Sequence, residues 1–365
     1  MNDLIAYLAI VTGAVYGVLL LSFRFGLTLL RKGKSSQRVT VTVVVPAHNE
    51  ADKIDDCLAA LSEQSYPAEL TEIIVVDDNS SDDTTERAKA WCARLKHLSI
   101  LPGDLYRYIC PKKNALAQGI GAGTGDIILT TDADCRPSPD WISSTVSCFT
   151  PMVGLVAGFA PLLPQPGLRG FLLAFQSLVV NALSAGSIGI GFPLSCSGRN
   201  LAYRRTVFDQ VGGFEDLGHI RGGDDVLFMR TVLAKTNWRV AFNPDPKAQV
   251  VSKPHLDSPY RRQLRYQSKA IHFPIPVLIL LTTVYIFHIT LAALMFLSLN
   301  QLKFQVLSLM LITAKLAVDW ILIWRVTSSL HSKNQLIWFP LAEVLVIPYV
   351  ILFGGLGAVI PSRWK

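Results

Sequence analysis

Val39-Thr40-Val41-Thr42-Val43-Val44-Val45-Pro46-Ala47-His48-Asn49-Glu50 is the stretch on which the fold turns. A short β-branched run of this kind reads as a strand, Val39 to Val45. Proline then ends the run, and a polar tail follows. Working outward, Ala51 to Gln64 has the spacing of an amphipathic helix and Ile73 to Val76 reads as a second strand. Helical patterns at Thr84 to Leu95 and Lys113 to Ala122 lead to a third strand, Ile127 to Thr131. Strands alternating with helices predict an α/β class, a Rossmann-like, mainly parallel sheet flanked by helices.

Open parallel sheets bind ligands at the carboxyl ends of their strands. Here those ends read Pro46-Ala47-His48-Asn49-Glu50, Asp77-Asp78-Asn79-Ser80-Ser81 and Asp132-Ala133-Asp134. Any one of them alone would be a helix cap or a turn. Three acidic strand ends together are costly unless a cation or ligand donors compensate them. In extended geometry Asp132 and Asp134 project to one side, so both could address a hard cation such as Mg²⁺ or Mn²⁺ through oxygen. No G-x-x-x-x-G-K-[ST] loop is present, and Gly119-Ile120-Gly121-Ala122-Gly123 reads as a helix end. A diphosphate would therefore be held through metal and not by a glycine cradle.

Further on, Gly222-Gly223-Asp224-Asp225 opens an apolar helical stretch, Val226 to Leu233. Adjacent carboxylates there are either caps or a general base for an acceptor hydroxyl. Tyr260-Arg261-Arg262-Gln263-Leu264-Arg265-Tyr266 places two arginines three apart, suited to an interfacial anchor or to clamping a diphosphate.

The chain is 50% hydrophobic and 17% charged over 365 residues, which excludes disorder and an ordinary soluble enzyme. Its apolar residues concentrate in Leu4 to Phe23, Phe273 to Leu299, Val306 to Trp324 and Leu336 to Ile360, each long enough to cross a bilayer. One span thus precedes the α/β region and three follow it. The boundaries expected are an anchor at 1–30, a catalytic domain at 38–255, a basic interfacial segment at 256–272 and three spans at 273–362. Gly170 to Gly198 is also uncharged and long enough, but a crossing there would part the acidic motifs before it from those after it. It is expected to pack in the domain or lie at the interface.

Arg24, Arg31, Lys32, Lys34 and Arg38 follow the first span, and Arg261, Arg262, Arg265 and Lys269 precede the second. The positive-inside rule then puts the middle region in the cytoplasm. The net +7 charge lies beside spans, so nucleic acid is not expected as a partner. Six scattered cysteines without a C-x-x-C pair fit a reducing compartment and no zinc site.

Taken in order, V-V-V-P-A-H-N-E at 43–50, V-V-D-D-N-S-S-D at 75–82, T-D-A-D at 131–134, G-G-D-D at 222–225 and R-x-x-R-Y at 262–266 resemble a family 2 glycosyltransferase of the GT-A fold, in its membrane-anchored branch. Lys113-Asn114-Ala115-Leu116, Ser197 to Tyr203 and Gly212-Gly213-Phe214 resemble further family segments. The resemblance implies a nucleotide-sugar donor, usually UDP-linked, held by Pro46, Ala47, His48, Glu50, Asp77, Asp78, Lys113, Asp132, Arg262, Arg265 and Tyr266. It implies a metal on Asp134 and Asp132, with Asp225, beside Asp224, as the base of an inverting displacement. The acceptor would be a lipid or a membrane-associated glycan, and the setting a bacterial cytoplasmic membrane.

Two positions depart from the family pattern. Asp224 stands where glutamate is common, and Arg262 to Tyr266 replaces the Q-x-x-R-W of polymerising members with a form closer to ceramide glucosyltransferase-like enzymes. Single transfer is favoured over a processive polysaccharide synthase. A reading from another class is an inactive nucleotide-binding accessory protein of the membrane.

Overall fold

The computed structural model describes residues 2–254 and 272–359. Two compact units emerge, an α/β unit of residues 29–163 and 191–254 and a helical unit formed by the rest.

The strands of the α/β unit are β1 (Val41–Ala47), β2 (Thr71–Asp77), β3 (Leu98–Pro102), β4 (Ile127–Thr130), β5 (Cys135–Pro137), β6 (Val153–Gly158), β7 (Leu201–Arg204), β8 (Arg239–Asn243) and β9 (Val250–Ser252). Seven form one sheet in the order β3-β2-β1-β4-β7-β6-β8, and β5 pairs with β9 apart from it. Only β7 runs against its neighbours in the large sheet. The mainly parallel GT-A-type sheet expected from the sequence is present.

Val43, Val44 and Val45 are fully buried because helices cover both faces of β1. Helix Ala51–Ser62 contributes Ile54, Cys57, Leu58 and Leu61, one apolar stripe at helical spacing. On the other face, helix Pro111–Ala122 lies against β1 and β2. Gly119 makes that approach possible, since a Cβ there would sit 2.5 Å from Val44 Cγ1 and 3.1 Å from Val76 Cγ2. Gly119→Val is accordingly expected to destabilise the α/β unit by about 1–3 kcal/mol through overpacking, read as a lower thermal midpoint.

Strand order reverses between β1 and β4, which leaves a crevice beyond their carboxyl ends. Register carries this further: Val44 pairs with Thr130, so the residues after β4 emerge beside Pro46 and Ala47.

The helical unit holds the four apolar runs as helices Asn2–Leu29, Ile275–Leu297, Leu302–Ser329 and Phe339–Val359. One expectation is corrected here. Residues of the Gly170 to Gly198 run form helix Leu168–Gly189, which belongs to this unit and not to the α/β domain. Small residues explain its place: a Cβ on Gly26 would meet Gly186 O at 2.1 Å, and one on Gly189 would meet Gly26 O at 2.2 Å. Helices Asn2–Leu29 and Leu168–Gly189 therefore touch backbone to backbone. Five helices are long and apolar enough to cross a membrane, one more than the sequence reading assigned, and both ends of the extra helix return the chain to the α/β unit.

Candidate active site

The polar tail of β1 and the tail of β2 are tied into one turn. Asn49 and Asn79 both adopt left-handed backbone, at φ 54° and 56°, a region asparagine tolerates better than most residues. The Asn49 N–H donates to Ser80 Oγ at 2.9 Å, and Asn49 Oδ1 accepts the Ser81 N–H at 2.8 Å. His48 Nδ1 donates to the Asp78 carbonyl at 2.7 Å. Ala47 O accepts the Asp78 N–H at 2.8 Å, so Pro46 and Ala47 act through backbone placement.

The two aspartates of β2's end differ in role. Asp77 is buried and accepts from Ser80 N–H, Ser80 Oγ and Thr85 Oγ1, which commits it to the turn. The Asp78 carboxylate is half-buried and accepts no hydrogen bond among the described residues. Burial raises its carboxyl above the usual range, with His48 opposing and the Asp77 charge adding to the rise. Glu50 occupies the N-cap position of the helix that follows, and its carboxylate pairs with Lys53 at 2.7 Å.

Across the crevice, oxygen and sulfur atoms of Asp132, Asp134 and Cys135 lie within 4.8 Å of one another. Burial, and then the Asp132 and Asp134 charges, push the Cys135 thiol well up, so it stays protonated and donates to Asp134 Oδ1 at 3.4 Å. What remains for a cation is a pair of carboxylates. Hard oxygen donors of this kind fit Mg²⁺ or Mn²⁺ and fit a soft metal poorly.

Asp224 and Asp225 follow Gly222 and Gly223, both at positive φ, a conformation that costs glycine little. Asp225 Oδ1 accepts the Val226 N–H at 2.7 Å and so caps helix Val226–Lys235. Asp224 is held elsewhere. Lys112 Nζ lies 2.5 Å from Asp132 Oδ1 and 3.3 Å from Asp224 Oδ2, joining acids ninety-two positions apart in the chain. Burial works against this ammonium, yet the charges of Asp132, Asp224 and Asp225 hold it well above the ordinary lysine range. Gly198 closes the group, since a Cβ on it would stand 3.1 Å from Asp224 Oδ2.

Lys112 is the residue that sequence reasoning missed, and its neighbour is placed differently. Lys113, assigned to the donor, is fully buried, donating to Leu217 O and, at 2.9 Å, to Ile220 O. It pins the loop before Gly222. The signal was available in helical phase: Lys113 recurs with Leu116 and Ile120 on the buried stripe. Arg262, Arg265 and Tyr266 lie outside the described residues.

An α/β sheet with its switch point lined by carboxylates and one bridging lysine is the layout of a nucleotide-dependent transferase. Two family models match this chain: glycosyl transferase family 2 over residues 42–160, and glycosyl transferase family group 2 over residues 127–354, more than half its length. The chain belongs to the family 2 glycosyltransferases.

Among curated relatives, it is 35% identical over 119 residues to glycosyltransferase AglE of Haloferax volcanii, covering 32% of this chain and 38% of that protein. An N-acetylglucosaminyltransferase of Rhizobium meliloti is 27% identical over 62% of this chain and 54% of its own length. O-antigen chain rhamnosyltransferase RfbN of Salmonella typhimurium is 28% identical over 62% of this chain and 70% of its own length. The chain thus spans about half the length, or less, of the first two. Among solved structures, a mannosyltransferase of Pyrobaculum calidifontis in complex with GDP-Man and Mn²⁺ shares the fold, with a TM-score of 0.58 at 22% identity over 93% of this chain and 99% of that one.

Proposed function

We propose that this protein is an inverting glycosyltransferase that moves a sugar from a nucleotide-linked donor to a lipid or membrane-associated glycan acceptor. The observation that carries the reading is the Lys112 bridge, which gathers Asp132 and Asp224 into the crevice at the sheet's switch point. Asp225 is the base. Asp224 is committed to Lys112 and its side chain is only 9% exposed, whereas Asp225 is oriented by the Val226 N–H at the start of a helix. Asp225 takes the acceptor hydroxyl's proton as the oxygen attacks the anomeric carbon, and the nucleoside diphosphate leaves from the opposite face. Asp132 and Asp134 would hold Mg²⁺ or Mn²⁺, which when bound offsets charge developing on the leaving diphosphate. Asp78 and His48 line the nucleoside side of the crevice.

Family resemblance favours a UDP-linked donor. A GDP-linked donor is the second reading, supported by the GDP-Man in the structurally similar mannosyltransferase. The five apolar helices support a membrane-embedded acceptor, and the Lys and Arg flanks support a cytoplasmic α/β unit in a bacterial cytoplasmic membrane. The full chain in native membranes is to be supplied with radiolabelled UDP- and GDP-sugars, with Mg²⁺, Mn²⁺ or a chelator. Metal-dependent label in a lipid or glycan product supports the reading; donor binding without transfer to any acceptor would favour an inactive accessory protein.

Lys112 also sets an expectation for metal affinity. Its ammonium opposes a cation bound at Asp132, by at least about 1 kcal/mol even at the dielectric of bulk water. Lys112→Met is therefore expected to bind Mn²⁺ roughly fivefold more tightly in titration calorimetry without donor, while transferring sugar more slowly.

A further inference from the structure

Inside the helical unit, a polar cluster draws on three helices. Lys315 Nζ lies 2.7 Å from Asp319 Oδ2 and also contacts Glu343 Oε2, with the lysine side chain 3% exposed. Tyr16 O–H donates to Asp319 Oδ1 at 2.6 Å. The sequence alone suggested a self-contained Lys315–Asp319 pair, but the second carboxylate upsets that balance. One ammonium faces two carboxylates, leaving a full negative charge among apolar helices, where an uncompensated charge is costly.

Other groups around the cluster do not supply the missing charge. His288 packs edge-on to the Tyr16 ring, with centroids 5.7 Å apart. Its Nδ1 donates to Val284 O at 2.8 Å, and its fully buried Nε2 has no partner among the described residues, so the ring carries one proton and is neutral. Helix Leu168–Gly189 packs against Leu302–Ser329 and Phe339–Val359 and has Arg169, in its first turn, as its sole ionisable residue. Lys333, in the short turn before Phe339, lies over the Trp324 ring. A metal cation is a poor candidate, because both Asp319 oxygens are already occupied and too few oxygen ligands remain.

We propose that the Lys315–Asp319–Glu343 cluster is a proton-binding site, holding one proton on its carboxyl pair so that the buried group is neutral overall. Glu343 carries the proton, because Asp319 is stabilised as the anion by both Tyr16 and Lys315, while Glu343 shares Lys315 and otherwise faces the Asp319 carboxylate, to which its proton can be donated. Loss of that proton at alkaline pH leaves the net charge buried and loosens the helices that supply the cluster. This inference is independent of the sugar-transfer chemistry.

The test uses the full chain in detergent or lipid. Infrared spectra of the parent at neutral pH should contain the carbonyl band of a buried protonated carboxyl, shifted in D₂O and lost on raising pH, and Glu343→Gln should abolish it. The thermal midpoint of the parent should fall as pH rises through the same transition, whereas Glu343→Gln, neutral at every pH, should show no such fall. A parent spectrum without the band overturns the proposal even if the variant does not fold. So does a band that survives in Glu343→Gln, or one that NaCl removes when exchanged for choline chloride at constant ionic strength, which would make the site a sodium site.

Discussion

Asp225→Asn is expected to lower sugar transfer by roughly 10²–10⁴-fold, the range for removing a positioned general base, with donor affinity changed by no more than about twofold. The substitution keeps an oxygen that accepts the Val226 N–H, so the cap on helix Val226–Lys235 survives and folding should be little affected. That separates chemistry from stability. Asp224→Asn provides the contrast: its carboxylate pairs with Lys112, so its loss weakens the Lys112 bridge and should perturb metal and donor binding as well as rate. Donor affinity and single-turnover transfer, measured on both variants, decide between them. An Asp225→Asn enzyme as fast as the parent would remove the base assignment.

The contrast rests on a distinction that the sequence did not contain. Gly-Gly-Asp-Asp reads as two equivalent acids, and the cap and base readings both fit it. Only the position of Lys112 makes them unequal, and Lys112 lies more than a hundred residues earlier in the chain. The strand ends were legible because β1, β2 and β4 are buried on both faces and so read as continuous apolar runs that stop at polar residues. β3 was not, since Leu98–Pro102 is a short edge strand with Ser99 exposed and proline at its end. β7 was hidden for a different reason: Leu201–Arg204 pairs antiparallel between β4 and β6, and nothing in four residues specifies direction.

The helix Leu168–Gly189 illustrates a third limit. A helix whose one charge is an arginine in its first turn has the same composition whether it packs in a soluble core or among apolar helices. Its partners were decided by Gly26, Gly186 and Gly189, which allow two backbones to touch, and a glycine's neighbour cannot be read from the glycine. Asp132 precedes this helix and Asp224 follows it, and Lys112 touches both.

Asp134→Ala should have the other large effect, abolishing metal-stimulated donor binding and lowering transfer by about 10³-fold or more. Three features make it the decisive ligand position. Asp132 shares its charge with Lys112, so it meets a cation already partly neutralised. Cys135 is kept protonated by burial and by its acidic neighbours, and hard cations do not favour a thiol. Asp134 is half-buried, and the Cys135 thiol that donates to it at 3.4 Å is a weak donor that a divalent cation would displace at little cost. Removing Asp134 leaves one carboxylate with an ammonium on it, too little to compete with water for Mg²⁺ or Mn²⁺. Mn²⁺ titration monitored by calorimetry, with and without nucleotide, measures this directly. Metal-dependent donor binding equal to the parent's would sink the assignment, whereas its loss together with an unchanged thermal midpoint would place the cation on Asp134.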